Sequence, residues 1–373
     1  MSPDVMLAEL CAPFVDGALV HLNNAGVSPL SARAERAAVE LAALMRDGTH
    51  AVPRLLKKYE AARSSFGRLV GCDADDVAFF HTCAAAISQV AFGFPLQAGD
   101  SIVLLDQEYP SNFYPWCRAA EKVGATVVVV ESGPDWTIDH DKFIDAITAQ
   151  TRVVAVSFVQ FQTGAVADLA RIVAAAHKVG AIVVVDAIQG LGIMPFSMRE
   201  IGVDAVCGGS HKWLLGPLGH GFLALTPALR GRLTPVLQGA ITYGTPDDAV
   251  DATRPPRADI RRFEPGAPLA LGAIPSAASI DLLLGIGIDR LHKEATAISD
   301  IVVDEARRRG FAVRPRTLSP IVAFVPNGDV HEQAARLRAE GISLAVRGAG
   351  LRVSPHAFNS NDDIVRLFSA LAR

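Results

Sequence analysis

One lysine of this chain lies where a charged side chain is unexpected. Lys212 occupies the stretch "GGSHKWLLG", residues 208–216, among glycines and large apolar residues with no acidic neighbour. Burial disfavours the ammonium form and lowers the pKa of a lysine, and the neutral amine that results can attack an aldehyde. The alternative is a lysine whose stem is buried while its amine reaches water or a distant acid. The other lysines stand in mixed, charged stretches typical of solvated helix faces: Lys57, Lys58, Lys122, Lys142, Lys178 and Lys293.

An aspartate upstream of Lys212 favours the first interpretation. Asp186 ends the apolar stretch "AIVVVD", and Gln189 follows about one helical turn later. A carboxylate at the carboxyl end of a buried parallel strand faces the ligand crevice of an open α/β sheet. Such a carboxylate can pair with the ring nitrogen of pyridoxal phosphate, although it could also cap a helix or bind a metal. Asp186, Gln189 and Lys212 in this order favour the cofactor.

The elements that must position these residues form an α/β pattern between residues 72 and 226. Short β-branched stretches with little polar alternation predict parallel strands that are covered on both faces. Helical stretches separate them, so an α/β layered domain is expected. The predicted strands are "DVAFF" (76–80), "SIVLLD" (101–106), "ATVVVV" (125–130), "RVVAVSFV" (152–159) and "AIVVVD" (181–186).

The remaining segments predict a second, smaller domain. Residues 245–268 are proline-rich, charged and irregular, as expected of a boundary or an active-site loop. Beyond them, helical and strand patterns alternate as in an α+β domain. We therefore predict a large domain over residues 16–260 and a small C-terminal domain over residues 261–373, with residues 1–15 packed on the small domain.

Composition excludes several classes of protein. Half of the 373 residues are hydrophobic and the net charge is −4, which does not suit a dedicated nucleic-acid binder. Five cysteines without paired spacing predict reduced thiols rather than a disulfide framework or a metal site. No apolar stretch approaches the roughly 20 residues of a membrane helix, and no basic leader precedes Arg33. A cytoplasmic protein with no metal and no membrane partner is expected.

The motifs together resemble the class V aminotransferase superfamily, the fold type I enzymes that depend on pyridoxal phosphate. "VDAIQG" and "GGSHKWLLGPLGHGFL" are similar to its cofactor-binding core, and "HLNNAGVSPLS", "DQEYPSNFYPW", "VQFQTG", "RRFEPGAP" and "LRVSPHAFNSNDD" follow the family's order. The resemblance is closest to the branch of cysteine desulfurases, isopenicillin N epimerase-like enzymes and C–S lyases. It implies a mostly parallel seven-stranded sheet, a smaller α+β domain and a homodimer with the active site between subunits.

The resemblance also implies roles for individual residues. Lys212 would hold the cofactor covalently and later move the Cα proton, Asp186 would pair with the ring nitrogen, and Gln189 would reach the ring hydroxyl. Tyr109 would stack on the ring, although it could simply be half-buried at a strand end. His211 and Ser210 would lie near the phosphate, and a packed imidazole is the alternative for His211.

The phosphate would bind at the start of the helix after "DVAFF", where free N–H groups favour an anion. Thr82 keeps a hydroxyl there, whereas Cys83 and Ala84 occupy positions that usually carry one. Further along, Phe161 replaces a frequent asparagine, so Gln160 or Gln162 could substitute for it, or the contact to the ring hydroxyl could rest on Gln189 alone. After "RFE", Gly266 and Ala267 occupy the motif that reaches the partner subunit's phosphate in relatives, with alanine in place of threonine.

The substrate side follows from the last motifs. Arg352 in "LRVSPH" matches the arginine that binds the substrate carboxylate, for which a rigid bidentate guanidinium is suited. A surface ion pair is the alternative. Asn23 and Asn24 lie in a polar turn that approaches the substrate in relatives, with Asn24 taken as the substrate-binding candidate, although an ordinary asparagine turn is the alternative.

The reaction type is narrowed by an absence in the sequence. Cysteine desulfurases carry a nucleophilic cysteine just before the segment that matches "LRVSPH", but "SLAVRGAG" contains none. We therefore expect a β-eliminating enzyme of the C–S lyase type that acts on an amino acid without forming a protein persulfide. Transamination and epimerisation are the alternatives, because Lys212 and Asp186 would serve every branch.

Overall fold

The computed structural model describes residues 6–11, 18–244, 251–315 and 317–372. Its centre is a seven-stranded sheet with the strand order β2-β8-β7-β6-β5-β3-β4. Only β8 runs against its neighbours, so the sheet is mostly parallel, as predicted. Its strands are β2 (Val77–Phe80), β3 (Ser101–Leu105), β4 (Thr126–Val130), β5 (Thr151–Ser157), β6 (Ile182–Asp186), β7 (Ala205–Gly209) and β8 (Gly221–Leu225).

Two smaller sheets complete the strand structure. An antiparallel sheet has the order β12-β13-β10-β9, and β1 pairs in parallel with β11. The pairing of β1 joins the start of the described chain to its C-terminal part. These strands are β1 (Val20–His21), β9 (Ala312–Val313), β10 (Val322–Val325), β11 (Ile342–Ser343), β12 (Ala345–Arg347) and β13 (Gly350–Val353).

Helices cover the sheets, and their ends follow local sequence chemistry. Ser31 caps α1 by accepting a hydrogen bond from the N–H of Ala34, and left-handed Gly71 and Gly124 end α2 and α4. The helices are α1 (Ala32–Leu44), α2 (Val52–Val70), α3 (Cys83–Gly93), α4 (Pro110–Val123), α5 (His140–Asp145), α6 (Leu169–Lys178), α7 (Met198–Ile201), α8 (Pro227–Arg232), α9 (Ala240–Tyr243), α10 (Ala270–Ile286), α11 (Ile288–Arg308), α12 (Val330–Ala339) and α13 (Asn361–Leu371).

The buried side chains form separate clusters. Two of them pack on the two faces of the seven-stranded sheet, because residues of its strands alternate between them: Val183 and Val185 belong to one, Ile182 and Val184 to the other. A third lies between the antiparallel sheet and helices α11 to α13, and Phe324 and Phe368 stack within it. The predicted α/β architecture with a smaller α+β part is therefore confirmed.

The packing bears on the predicted domain division. Helix α10 packs against α1 and α2, and its buried residues belong to a cluster of the large sheet although they lie beyond residue 260. Val20 and Leu22, in contrast, pack in the C-terminal cluster. Of the predicted N-terminal arm 1–15, residues 6–11 are described, and Glu9 binds Arg33 and Arg36 of α1; residues 1–5 and 12–15 lie outside the described residues. This packing favours a boundary near Gly287, between α10 and α11.

No single helix in the described part of the chain is long and apolar enough to cross a membrane. Helices α10 and α11 meet that test of length and composition only as a pair, across a bend of 83°.

Candidate active site

A cavity of about 410 Å³ opens at the carboxyl ends of β5 and β6. This is the edge of an open α/β sheet at which ligands bind. Nine of the residues singled out from the sequence line it: Thr82, Cys83, Ala84, Tyr109, Asp186, Gln189, His211, Lys212 and Arg352. Segments that lie far apart in the chain therefore meet at one site.

Lys212 is held in a tight turn that follows β7. Leu215 closes the turn by donating its backbone N–H to the Lys212 carbonyl at 2.9 Å, and it adopts a left-handed φ of 51°. Such a backbone is unfavourable for leucine, and burial of the leucine side chain holds it in place. The Lys212 side chain is only 8% exposed, and burial lowers its pKa to about 8 against the opposing attraction of Asp186. Its Nζ lies 5.4 Å from the centre of the Tyr109 ring.

Asp186 lies at the floor of the cavity. One carboxylate oxygen accepts the N–H of Ile188 at 3.0 Å and the thiol of Cys83 at 3.5 Å. Burial raises the pKa of Asp186, while these hydrogen bonds and the nearby amine of Lys212 lower it. No ion pair holds this carboxylate among the described residues. A cation in the cavity would therefore find a buried carboxylate ready to pair with it.

Helix α3 begins at the cavity wall. Thr82 is its N-cap, and its hydroxyl accepts the N–H of Ala85 at 3.0 Å. The start of β8 passes directly beneath this turn: a Cβ added to Gly221 would lie 2.4 Å from the carbonyl carbon of Thr82, so only glycine fits. The positive end of the α3 dipole therefore faces the cavity, which suits an anion.

Tyr109 is positioned by the residue before it. Buried Glu108 accepts hydrogen bonds from the backbone of Ser157 and from the amides of Asn112 and Gln160, each at 2.8 Å. Burial raises the pKa of Glu108, and these donors oppose the rise. The amide of Gln160 is thus directed at Glu108 and not at the cavity, and Gln162 lines a separate small pocket. Neither glutamine substitutes in the cavity for the asparagine that Phe161 replaces.

Gln189 and His211 both line the cavity, but their polar atoms differ in availability. The amide of Gln189 donates to the Ala25 carbonyl and accepts from the indole N–H of Trp213, each at 3.0 Å. Its side chain is therefore fixed with one amide hydrogen left for a ligand. Burial lowers the pKa of His211 to about 4, so its imidazole is neutral at physiological pH.

Arg352 projects from β13 and is completely buried. Its Nη1 donates to the Phe161 carbonyl at 2.6 Å and its Nη2 to Oδ1 of Asn23 at 3.2 Å, whereas its Nε has no partner. Burial, and then the charge of Arg347, lower its pKa to about 9. Among the described residues no carboxylate compensates this charge, so the cavity is prepared for an anion.

Four of the predicted site residues do not reach the cavity. Asn24 donates to the Ser354 carbonyl and accepts from Ser28, so the asparagine that contacts Arg352 is its neighbour, Asn23. The Ser210 hydroxyl is directed at the Pro217 carbonyl. Gly266 and Ala267 line apolar grooves elsewhere on the surface.

Other cavity residues were not singled out as site residues from the sequence. The most consequential is Arg347, at the end of β12, whose charge acts on both Lys212 and Arg352. Its position five residues before Arg352, across the β12–β13 hairpin, is the signal that could have identified it. The remaining lining residues are Ala25, Gly26, Val27, Ser111, Phe161 and Ile188.

Comparisons with known proteins match nearly the whole chain. The model of the family described as Aminotransferase class-V matches residues 22–367. A protein named probable cysteine desulfurase from Methanothermobacter thermautotrophicus is 30% identical over 382 aligned positions, covering 94% of each chain. The crystal structure of the cysteine desulfurase CsdA from Escherichia coli has a TM-score of 0.90 at 25% identity, over 100% of this chain and 98% of that one. The cystine C–S lyase C-DES, in complex with its reaction product cysteine persulfide, shares the fold with a TM-score of 0.86 at 19% identity, over 95% and 97%.

Proposed function

The chain belongs to the class V aminotransferase family of pyridoxal-phosphate-dependent enzymes, and on that premise we propose that it is a C–S lyase. It would act on an amino acid that carries a sulfur leaving group at Cβ, and no thiol of the protein would take part. The observation that carries this proposal is the thiol content of the cavity. Cys83, the cysteine among the lining residues, donates its hydrogen to Asp186, and burial raises its pKa well above the usual value. A thiol held in this way is protonated and not nucleophilic.

The residues present fit pyridoxal phosphate. Buried Asp186 forms no ion pair with any described residue and suits a ring N–H⁺, and the start of α3 at Thr82 suits a phosphate. The lowered pKa of Lys212 suits covalent attachment to an aldehyde. When bound, the cofactor supplies an electron sink for the bond that breaks at Cα of the substrate.

The chain's own side chains would supply the remaining steps. Arg352 binds the α-carboxylate of the substrate, and the carbonyl of Phe161 and the side chain of Asn23 fix its orientation. Lys212 removes the proton from Cα, a role that its pKa near 8 permits at physiological pH. Asp186 keeps a proton on the ring nitrogen, and the wall formed by Tyr109 and Phe161 excludes water.

The reaction balances without an oxidant or a second substrate. As the Cα proton leaves and a double bond forms between Cα and Cβ, the Cβ–S bond breaks and its electron pair leaves with the sulfur. The thiolate takes up a proton, and the unsaturated amine reacts with one water to give pyruvate and ammonia. A cysteine desulfurase would instead need a thiolate to accept the sulfur, and the β12–β13 hairpin that borders the cavity contains no cysteine.

We further propose that the enzyme is a homodimer. Apolar grooves lie on both sides of the loop that contains Gly266 and Ala267, and their exposed side chains include Leu237 and Leu271, which are 60% and 54% exposed. A contiguous apolar surface of this kind is typical of a subunit interface. Covering it with a second copy would place Ala267 against the partner, in line with the role suggested by its motif.

A substrate panel tests the proposed reaction. Holoenzyme is incubated with cysteine, alanine and S-substituted cysteines in the absence of any keto acid, and pyruvate and ammonia are measured. Equal amounts of pyruvate, ammonia and free thiol from the S-substituted cysteines are expected. Strict dependence on an added keto acid would identify a transaminase, and loss of optical activity without pyruvate would identify an epimerase; either result contradicts the proposal.

A further inference from the structure

One corner of the cavity contains a second arginine that the steps above do not use. Arg347 ends β12 and lines the cavity together with Arg352. Its Nη1 donates to the carbonyl of Val346 at 2.9 Å, and its Nε is buried without a partner. Among the described residues no carboxylate pairs with Arg347. A guanidinium group in this position can bind an anion that enters from the cavity.

More basic than acidic side chains line the cavity. Lys212, Arg347 and Arg352 are cationic or can become so, whereas Asp186 is the acidic residue among the lining residues. Asp186 and Lys212 are assigned to the cofactor, and its phosphate is assigned to the start of α3. The α-carboxylate of the substrate compensates one of the two arginines, so one positive charge remains for a second acidic group.

The ring of Phe161 holds Arg347 in this position. The guanidinium carbon of Arg347 lies 5.8 Å from the centre of the ring, within the range of a cation–π contact. The ring also meets Tyr109 edge-to-face, with centroids 5.0 Å apart at 80°. The Phe161 ring therefore lies between Tyr109, which is predicted to face the cofactor, and the guanidinium group of Arg347.

The turn that carries Phe161 is fixed from the other side. The hydroxyls of Thr317 and Ser319 both donate to the Gly164 carbonyl, at 2.6 and 2.7 Å. Gly164 has a φ of 78°, and an added Cβ would lie 2.4 Å from Oγ of Ser319. These contacts fix the turn and so give the Phe161 ring a defined position. The backbone carbonyl of Phe161 accepts a hydrogen bond from Arg352, and this contact does not depend on the ring.

We propose that Arg347, held on the ring of Phe161, is a specificity-determining residue that binds an acidic group at the distal end of the substrate side chain. The substrate class is then S-substituted cysteines whose sulfur substituent ends in a carboxylate or a comparable anion. This inference rests on the proposed C–S lyase function and extends it to the substituent. Arg352 binds the α-carboxylate, and Arg347 distinguishes the acidic side chain from a neutral one.

An isosteric pair of substrates provides the test. S-carboxymethylcysteine and S-carbamoylmethylcysteine have the same length and shape, and only the first has the second negative charge. Wild-type holoenzyme is expected to prefer the acid over the amide in kcat/KM by about tenfold or more, since hydrogen bonds to charged groups contribute that much. Binding of each compound is also measured from the change in cofactor absorbance, which does not require turnover.

Variants separate the ring from the carbonyl. R347M is expected to abolish the preference for the acid, and F161L to reduce it severalfold because leucine cannot form the cation–π contact. R347M should keep the activity on the amide within about threefold, because the amide has no distal charge for Arg347 to bind. F161L is judged only by its ratio of acid to amide, since the Phe161 ring also forms part of the cavity wall. F161Y should retain the preference. The matched control is R232M, since Arg232 lies 4.8 Å from the ring of Phe94, away from the cavity.

Three results would overturn the inference. Equal use and equal binding of acid and amide by the wild type would show that no second anion site exists. An unchanged preference in R347M would show that another residue reads the acid. Equal losses for acid and amide in R347M would show that both arginines hold the α-carboxylate. If neither compound is eliminated but the acid binds more tightly through Arg347, the lyase proposal fails while the second anion site at Arg347 stands.

Discussion

Two arginines of this protein are removed from water to the same extent and have opposite surroundings. Arg63 in α2 is 1% exposed and Arg352 in β13 is 0% exposed. Arg63 forms a bidentate pair with Glu264, at 2.6 and 2.8 Å, and also donates to the Val77 carbonyl. Burial opposes the charged form of Arg63, but Glu264 and Glu60 outweigh that effect and raise its pKa. Among the described residues Arg352 has a carbonyl and an amide as partners but no acid, and burial lowers its pKa.

The two arginines differ in whether a described acid compensates the buried charge, and we interpret Arg63 as structural on that ground. Glu264 also accepts the N–H of Phe79 at 2.8 Å, so the Arg63–Glu264 pair satisfies backbone groups on the outer edge of β2, the edge strand of the sheet. Arg63 and Glu264 thus compensate each other's charge within the protein. Among the described residues no acid compensates Arg352, and we propose that the substrate carboxylate does so. Burial alone therefore does not mark an arginine as a candidate for function, whereas burial without an acid does.

The largest effect is expected at the compensated arginine. R63M would leave the Glu264 carboxylate buried without its cation and should lower the free energy of unfolding by about 3–5 kcal/mol. Urea denaturation of the apoprotein measures this loss. The double variant R63M/E264M should recover part of it, because it removes both charges. The matched control R68M breaks an exposed pair with Asp281 and should cost less than about 1 kcal/mol; equal losses in R63M and R68M would contradict the comparison.

The uncompensated arginine should show the reverse behaviour. R352M should keep the free energy of unfolding within about 1 kcal/mol of the wild type or raise it, because it removes a buried charge that no described acid compensates. The same variant should lose about a hundredfold in kcat/KM on S-substituted cysteines through the lost carboxylate contact. A destabilisation like that of R63M with normal kinetics would show that Arg352 is structural.

The buried amine of Lys212 predicts a pH dependence for cofactor binding. Below its pKa of about 8, Lys212 is protonated and cannot attack an aldehyde. The rate at which apoprotein takes up pyridoxal phosphate should therefore rise about tenfold per pH unit below pH 8 and level off above it. The rate is followed by absorbance between pH 6 and pH 10. A rise that continues over the whole range up to pH 10, as for an exposed lysine, would contradict the predicted pKa of Lys212.

The smallest effect is expected at the thiol beside Asp186. C83A removes a weak hydrogen bond of 3.5 Å and a small apolar group. The free energy of unfolding should fall by about 1 kcal/mol, and the cofactor absorbance should be retained. Persulfide formed from cysteine is not expected in either protein. A large loss of sulfur release from cysteine in C83A, with normal release in C117A, would instead make Cys83 a sulfur acceptor.

The sequence predicted the sheet and the floor of the site because their signals are local. Uninterrupted β-branched stretches predict buried parallel strands, and Asp186 ends one of them. Lys212 was recognised because a lysine among glycines and apolar residues contradicts the usual pattern of exposure. These inferences need only the chemistry of a few adjacent residues.

Other parts of the site depend on contacts between distant segments. Arg347 reaches the cavity through the register of the β12–β13 hairpin and the ring of Phe161, which lies in a turn fixed by Thr317 and Ser319. The spacing between Arg347 and Arg352 could have marked Arg347 as a candidate, but it does not predict its contact with the Phe161 ring. The sequence also does not predict in which direction a single side chain points. Of the two adjacent asparagines, Asn23 contacts Arg352, whereas Asn24 binds Ser354.

The predicted domain boundary also depends on contacts between distant segments. The proline-rich stretch 245–268 suggested a boundary, but α10 beyond it packs on α1 and α2. Its apolar residues are distributed around the whole helix, which indicates burial on all sides but not the elements that bury it. That information lies in the tertiary packing.

Identification of the lysine that holds the cofactor tests the central claim most directly. The holoenzyme is reduced with borohydride, digested and analysed by mass spectrometry. The account predicts the mass of the reduced cofactor on the peptide that contains Lys212 and on none of the peptides that contain the six other lysines, as well as the loss of this label in K212M. A label on another lysine, or a violet-absorbing protein without a label on Lys212, would contradict it.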